Sequence, residues 1–185
     1  VGTSTVATNL AVSVQHADRK DSVALIDLDL YGGDLGLFLD LNSSQGIKDL
    51  TKDISRLDET ILQSSMVQHS SGLYLLASGY EELEPPQLGY GSTMRVIGLL
   101  RAMYQHVFID CGHIMEDAVK EALDCSDQII IVTGLSLPAI RRTQRMLDAF
   151  RAAEFTSEKI LVVVNRYHAD QKELLEEAQA LLGVQ

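Results

Sequence analysis

Five short runs of aliphatic residues recur along the chain, and this feature most constrains its fold. The runs are Val23–Asp27, Leu73–Ala77, Val107–Asp110, Gln128–Thr133 and Ile160–Asn165. Their apolar parts lack the alternation of a half-exposed strand, so they predict strands buried on both faces, as in parallel sheets. Helix-compatible segments separate them. We therefore predict an α/β fold with a doubly wound, mostly parallel sheet and helices on both faces.

The segments between the strands are assigned from their periodicity and their caps. The predicted helices span Gly2–Ala17, Ile47–Asp53, Leu57–Met66, Ser92–Tyr104, Glu116–Leu123, Pro138–Ala153 and Asp170–Leu182. Ser92 is expected to cap its helix, and Pro138 is tolerated in the first turn of its own. Leu35–Leu41 is apolar and is predicted to be packed, whereas Glu81–Pro86 is predicted to be a loop.

Composition fits one domain over residues 1–185, with 46% hydrophobic and 22% charged residues. No apolar run approaches the roughly 18 residues of a membrane span. The formal net charge of -11 argues against broad, nonspecific nucleic-acid binding. Cys111 and Cys125 lie in apolar surroundings and are predicted to be buried free thiols.

The net charge does not exclude a local basic patch, and four arginines of the predicted Pro138–Ala153 helix could form one. They are Arg141, Arg142, Arg145 and Arg151. Their near-helical spacing favours a solvated helix face over a basic binding patch.

Two carboxylates, Asp27 and Asp29, appear where the first aliphatic run ends. At this spacing both side chains point to the same face of a strand. Buried carboxylates cost several kcal/mol unless compensated, so we place them at the carboxyl end of the strand, where α/β sheets bind ligands. A strand end that caps the next element explains one Asp well, but explains Asp27, Asp29 and Asp34 together less well.

The chain opens with Gly2-Thr3-Ser4-Thr5 at the start of a helix, which is what an anion site needs. No strand precedes this turn, so we expect a preceding strand to be missing. Asp110 and Asn165 end two further strands, and the carboxyl ends of parallel strands share one edge. This combination predicts a site for a nucleotide with a divalent cation.

At these residues the chain resembles the MinD/ParA family of P-loop ATPases, whose deviant Walker A motif reads KGGxGKTT. Val1–Thr5 matches the end of that motif, Asp27 and Asp29 match switch I, Asp110 matches the Walker B aspartate, and Asn165–Tyr167 matches a base-contacting strand end. The resemblance covers essentially the whole chain. It implies a SIMIBI-like three-layer P-loop NTPase domain that lacks its first strand and its last strand and helix.

The resemblance also implies roles for individual residues. Gly2, Thr3, Ser4 and Thr5 would cradle phosphates, and the Ser4 hydroxyl would bind Mg²⁺, with Asp27 and Asp110 holding the metal through water. Asp29 would orient or activate the attacking water. Asn165 and Arg166 would contact adenine. ATP or ADP and Mg²⁺ are the implied cofactors. A helix-capping role for Ser4 and a turn-forming role for Asn165 remain open.

Within the family the resemblance is closest to the TadZ/CpaE pilus-assembly branch, through residues 28–35, 57–69 and 137–142. It implies a cytoplasmic homodimer that localises or assembles type IVb (Flp/Tad) pilus secretion machinery, with indirect association with the membrane or cell pole. Thr3 stands at the position of the P-loop lysine. It brings no charge to the phosphates, so affinity and turnover should both fall.

Two other functions stay open. One is a conventional switch ATPase of cell-division site placement or DNA partition, which the presence of Asp29 keeps plausible. The other is a scaffold that binds no nucleotide. A dehydrogenase is disfavoured, because no G-x-G-x-x-G fingerprint follows a strand.

Overall fold

The computed structural model describes residues 2–17, 20, 22–42, 45–51, 54–79, 88, 91–112 and 115–184. The chain divides into two compact units. We call Ser4–Cys125 the N-terminal unit, and residues 1–3 together with 126–185 the C-terminal unit. The expectation that residues 1–185 form a single domain stays a prediction.

The N-terminal unit contains a four-stranded sheet. Its strands are β1 (Val23–Asp27), β2 (Val67–Gln68), β3 (Tyr74–Leu76) and β4 (His106–Asp110), in the order β2-β3-β1-β4. β1 lies between β3 and β4 and is parallel to both, whereas β2 is antiparallel to β3. The register pairs Asp27 with Asp110, so the carboxyl ends of β1 and β4 lie side by side.

Helices surround this sheet. They are α1 (Thr3–Ala17), α2 (Leu35–Phe38), α3 (Ile47–Thr51), α4 (Glu59–Ser64), α5 (Ser92–Met103) and α6 (Asp117–Cys125), with a 3₁₀ turn at Ile54–Arg56. Successive β1 side chains point into two different cores. Val23 and Leu25 pack with Ala11 of α1 in one core. Ile26 packs instead with Leu100 of α5. Both faces of β1 are therefore covered, as its unbroken apolar run predicts.

The C-terminal unit contains the parallel pair β5 (Ile129–Thr133) and β6 (Ile160–Val164). Its helices are α7 (Leu137–Ala152) and α8 (Lys172–Leu182), with 3₁₀ turns at Ser157–Lys159 and Ala169–Gln171. Pro138 lies in the first turn of α7, as predicted.

The α7 arginines lie on an exposed helix face. Arg141, Arg142 and Arg145 are exposed, and Arg151 forms an ion pair with Asp148 at 3.0 Å. This arrangement agrees with the solvated helix face that their spacing favours.

Several local predictions are wrong. β2 was not expected, because its two residues are too few to show a period. The predicted helix Leu57–Met66 is shorter, since Asp58 caps α4 by accepting from the N–H of Ile61. Ser92 is the first residue of α5, not its cap, and Gly91 holds the cap position.

The Leu35–Leu41 segment is packed at only part of its positions. Leu35 and Leu39 are buried, but Leu37 is 80% exposed and Phe38 is 52% exposed. The predicted Glu81–Pro86 loop lies outside the described residues. In the described part of the chain, no helix combines the length and apolarity needed to cross a membrane.

Candidate functional site

Two buried carboxylates face each other at the ends of neighbouring parallel strands. Asp27 ends β1 and Asp110 ends β4, and the sheet register places them opposite one another. Each is only 1% exposed. This pair forms because apolar residues directly precede the terminal aspartate of each strand, and parallel pairing brings those last residues to the same edge.

Backbone donors hold the Asp27 carboxylate. Its Oδ1 accepts from the N–H of Asp29 at 3.1 Å, and its Oδ2 accepts from the N–H of Leu35 at 3.3 Å. Burial nevertheless raises the pKa of Asp27 to about 7, and the charge of Asp110 adds to the rise, while the Leu35 N–H opposes it. A charged pair at this position therefore gains from a nearby cation.

The donor set fits Mg²⁺ bound together with phosphate better than a cage made by the protein alone. Among the described residues, no group of three or more His, Cys, Asp or Glu side chains could hold a metal ion. Mg²⁺ commonly takes one or two carboxylates and fills its other positions with water and substrate phosphate. Asp27 and Asp110 supply two such carboxylates. Their assignment as metal ligands, with Ser4, stays a prediction.

Asp29 lies just beyond β1, because the strand ends at Asp27. The expectation that the two carboxylates share one strand face is therefore wrong. A backbone turn keeps them adjacent instead, with the N–H of Asp29 bound to Asp27. Asp29 Oδ1 accepts from the N–H of Gly32 at 3.2 Å. Its carboxyl also packs on Gly112, where an added Cβ would lie 2.7 Å from Asp29 Cγ.

The first turn of α1 lies near the same end of the sheet. Gln15, late in α1, accepts from the N–H of Val23 at 3.2 Å, which ties the helix to the start of β1. From Gln15 back to Ser4 the helix covers roughly 16 Å. β1 covers roughly 13 Å from Val23 to Asp27. Since α1 packs along the sheet in the opposite direction, we infer that Ser4 lies level with the carboxyl end of β1.

The residues of that first turn suit an anion but are not themselves caps. α1 begins at Thr3, so Ser4 is its second residue and does not occupy the N-cap position. Ser4 is half-buried and Thr5 is exposed. The first turn carries no acidic side chain, so the positive end of the helix dipole is not offset by charge within that turn. The phosphate role of these residues stays a prediction.

Two of the predicted site residues meet in the C-terminal unit. Gly2 has φ +80° and packs on Asn165, whose Nδ2 would lie 2.5 Å from a Cβ at that position. The N–H of Asn165 donates to the carbonyl of Thr133 at 2.8 Å, and its Oδ1 accepts from the N–H of Arg166 at 2.9 Å. Asn165 thus forms the turn after β6, which was one of its two interpretations.

Arg166 is exposed and adopts φ +58°, an uncommon conformation for a residue with a side chain. The adenine contacts of Asn165 and Arg166 stay predictions.

Sequence reasoning missed one contact near the acidic residues. The hydroxyl of Tyr31 donates to Glu116 Oε1 at 2.7 Å, joining the loop after β1 to the start of α6. No sequence signal could have shown it, because 85 positions separate the partners. Cys111, next to Asp110, is a half-buried free thiol, and burial raises its pKa to about 12.

Several solved structures share this fold. A ParA family ATPase from Chlorobium tepidum superposes with a TM-score of 0.82 at 23% identity, covering 99% of this chain and 76% of that chain. The MinC:MinD complex of Aquifex aeolicus superposes with a TM-score of 0.79 at 19% identity, covering 100% of this chain and 74% of that chain. The fold is that of the MinD/ParA P-loop ATPases. MinD of Pyrococcus horikoshii, solved in complex with Mg-ADP, superposes with a TM-score of 0.71 at 22% identity. The match covers 100% of this chain and 73% of that chain.

Sequence comparison finds MinD proteins as well. The septum site-determining protein MinD of Thermotoga maritima is 24% identical over 170 residues, covering 90% of this chain and 60% of the relative. MinD of Synechocystis is 23% identical over 176 residues, covering 94% and 63%. The chain therefore spans about three fifths of the length of these curated relatives. No protein-family model matches the sequence.

Proposed function

We propose that this chain is the nucleotide-binding part of a MinD/ParA-type protein that binds Mg-ATP and hydrolyses it slowly. The observation that carries the proposal is the buried pair of Asp27 and Asp110 on adjacent parallel strands, with the pKa of Asp27 raised to about 7. Such a pair is costly unless a cation neutralises it. Structures with this fold have been solved with Mg-ADP and with ATP.

Each site residue has a defined part in this proposal. Ser4 holds Mg²⁺ through its hydroxyl, and Asp27 and Asp110 hold it through water. The backbone N–H groups of residues 2–5 bind the phosphates at the positive end of α1. Asp29 orients the attacking water. The bound metal supplies charge neutralisation for the transferred phosphoryl group.

Asn165 and Arg166 are proposed to hold the base. Asn165 hydrogen-bonds adenine, and Arg166 stacks on it or contacts it. This assignment rests on the resemblance of residues 165–167 to the base-contacting strand end of the MinD/ParA family.

Slow hydrolysis follows from Thr3. A P-loop lysine places a positive charge on the β- and γ-phosphates, whereas a threonine hydroxyl donates one uncharged hydrogen bond. Removing that charge weakens stabilisation of the transition state most, because negative charge shifts among the phosphoryl oxygens there. Binding therefore persists better than turnover does.

The more specific proposal is a homodimeric localisation or assembly factor for type IVb (Flp/Tad) pilus secretion machinery, recruited from the cytoplasm to the cell pole or the inner face of the membrane. It rests on the resemblance of residues 28–35, 57–69 and 137–142 to the TadZ/CpaE branch. The second candidate is a conventional switch ATPase in division-site placement or DNA partition. The similarity to MinD of Thermotoga maritima favours it equally.

Calorimetric titration with Mg-ATP tests the central claim. We expect saturable binding that Asp110→Asn weakens at least tenfold, because a buried carboxylate near the metal is lost. Asp117→Asn is the matched control, since Asp117 is exposed and pairs only with Lys120 among its described ion pairs. Absence of both binding heat and a thermal shift in the parent protein would sink the proposal and favour a nucleotide-free scaffold.

Thr3→Lys tests the claim of slow turnover. We expect the substitution to raise the rate of ATP hydrolysis at least tenfold while changing affinity less. Fast hydrolysis by the unmodified protein would contradict slow turnover and favour the switch ATPase. Deleting the gene separates the cellular roles: loss of surface pili supports the assembly factor, whereas misplaced septa or plasmid loss supports the switch.

A further inference from the structure

The segments that follow β1 and β4 are linked by two hydrogen bonds. We call residues 28–34 the β1 loop, and the described residues 111, 112, 115 and 116 the β4 loop. At the base, the N–H of Leu28 donates to the carbonyl of Asp110 at 2.8 Å. Three residues further along the β1 loop, the Tyr31 hydroxyl donates to Glu116 Oε1 at 2.7 Å. The β1 loop is therefore bonded to the end of β4 at its first residue and to the residue before α6 at its middle.

Asp29 lies between these two links. Its Oδ1 accepts from the N–H of Gly32, the residue after Tyr31, and its carboxyl packs on the Cα of Gly112 in the opposite loop. The N–H of Gly112 in turn donates to Asp110 Oδ1 at 3.2 Å. Displacing Tyr31 away from Glu116 would therefore move the Gly32 N–H that holds Asp29, and would open the contact with Gly112.

We propose that the hydrogen bond from Tyr31 to Glu116 is a latch that positions Asp29 for reaction with a bound nucleotide. The role of Asp29 rests on the proposed function above. Tyr31 and Glu116 are positioning residues in this proposal, because they act through Asp29. The latch belongs to this chain's own side chains and forms in the protein without nucleotide.

The chemistry of the pair suits a latch that holds in solvent. Tyrosine loses few torsional states when fixed, and a hydrogen bond to a charged carboxylate is stronger than one between neutral groups. Accepting this bond, Glu116 raises the pKa of the Tyr31 phenol, which agrees with a hydroxyl that donates to a charged carboxylate. Tyr31 is nevertheless 46% exposed, so water competes and the latch can open.

Glu116 has a second, purely structural role that the test must separate. It directly precedes α6, where its negative charge favours the helix N-terminus, and its carbonyl accepts from the N–H of Lys120 at 3.0 Å. Glu116→Gln loses the charge but keeps an acceptor for Tyr31. Glu116→Ala loses both. The difference between these two variants reports the latch.

Hydrogen–deuterium exchange in the nucleotide-free protein is the primary experiment. We expect Tyr31→Phe and Glu116→Ala each to speed exchange in peptides covering both loops by about 5- to 10-fold, the range for losing one hydrogen bond near 1 kcal/mol. Glu116→Gln keeps a neutral acceptor for Tyr31, so it should speed exchange less than Glu116→Ala does. The double variant should exceed neither single variant, because both remove the same bond.

Matched controls exclude general effects of these changes. Tyr167→Phe removes the hydroxyl of another exposed tyrosine, and Glu173→Ala removes a carboxylate from the first turn of α8. Neither should alter exchange in the two loops. Unchanged exchange in Tyr31→Phe, or equal effects of Glu116→Gln and Glu116→Ala, would overturn the latch.

Single-turnover hydrolysis of Mg-ATP then tests positioning. Tyr31→Phe should lower the rate about 5-fold while the dissociation constant of Mg-ATP changes less than 2-fold, because the phosphate and metal ligands are untouched. An equal loss of affinity, or an unchanged rate, would overturn the positioning role. If the parent protein binds no Mg-ATP, the proposed function fails, while the exchange data still decide whether the latch exists.

Discussion

The Asp27 carboxyl makes the free energy of unfolding depend on pH. Its pKa is about 7 in the folded protein against an ordinary value of 3.8. Below about pH 4 it is protonated in both states, so it contributes nothing. Between about pH 4 and 7 the folded state keeps a proton that the unfolded state loses. Stability must therefore fall as pH rises through this window, and the cost is constant above it.

Asp27→Asn should remove that dependence. In nucleotide-free protein with EDTA, the variant should gain roughly 2–4 kcal/mol relative to the parent between pH 4 and pH 7.5, at about 1.4 kcal/mol per unit of pKa difference. The Asn side-chain NH₂ would face one of the backbone N–H groups that now donate to Asp27. This repulsion lowers stability equally at every pH, so it does not change the pH slope. Urea unfolding across pH measures the slope. A parallel pH profile in parent and variant would refute the pKa argument, and Asp117→Asn should retain the parental slope.

Both the backbone conformation at position 112 and the contact with Asp29 require glycine there. Gly112 adopts φ +59°, and an added Cβ would lie 2.7 Å from Asp29 Cγ. Gly112→Ala should therefore lower the free energy of unfolding by about 1–3 kcal/mol and displace Asp29.

Gly98→Ala is the matched control for Gly112→Ala. Gly98 is exposed within α5, and an added Cβ would meet no atom there within 4 Å. The same chemical change should stabilise by about 0.5–1 kcal/mol at this position. Thermal unfolding measures whether each variant is more or less stable than the parent. A stabilised Gly112→Ala would show that the two loops are not closely packed.

At the scale of elements, the N-terminus of α5 depends on a side chain from α6. Glu121 is 4% exposed, and its carboxylate accepts from the N–H groups of Gly91 and Met94, which α5 itself leaves without partners. Glu121→Ala should cost about 1–3 kcal/mol, since two part-buried donors lose their acceptor. Urea unfolding should show a lower midpoint at an unchanged slope. Glu177→Ala, exposed on α8, should change the midpoint little.

The same pair of helices shows what sequence can and cannot predict. β1, β4, β5 and α7 were expected close to their observed bounds, because unbroken aliphatic runs and a first-turn proline are local signals. The Glu121 cap joins residues 27 and 30 positions apart, so no local pattern reveals it. Ser92 was the best local candidate, and a distant carboxylate took its place.

Exposure was the other limit of sequence reasoning. Leu37 and Phe38 were expected to pack because they are apolar, yet α2 is one turn long and only Leu35 of that helix is buried. A four-residue helix presents one side to the core, and the remaining side chains face solvent whatever their character. For the candidate site, strand ends could place Asp27 beside Asp110, but the turn that holds Asp29 depends on Gly32 and Gly112 in three dimensions.

At the scale of the whole molecule, charge separates two of the candidate functions. A protein of DNA partition that acts on nucleic acid needs positive surface, because phosphate neutralisation supplies most nonspecific affinity. This chain carries a formal net charge of -11 and a sequence pI near 4.7. Its densest basic feature is the trio of Arg141, Arg142 and Arg145 on α7, set within that acidic background.

We therefore expect no measurable binding of a 30-base-pair duplex at 150 mM salt, with a dissociation constant weaker than about 10⁻⁴ M, the weak end of nonspecific binding. Fluorescence anisotropy with and without Mg-ATP measures it. Micromolar binding that weakens steeply with added salt would contradict the charge argument and favour the partition function. In that case the triple variant R141A/R142A/R145A should abolish binding, because three exposed guanidinium groups account for a salt slope of about -2.7. Binding that survives the triple variant would place the contact elsewhere on the chain.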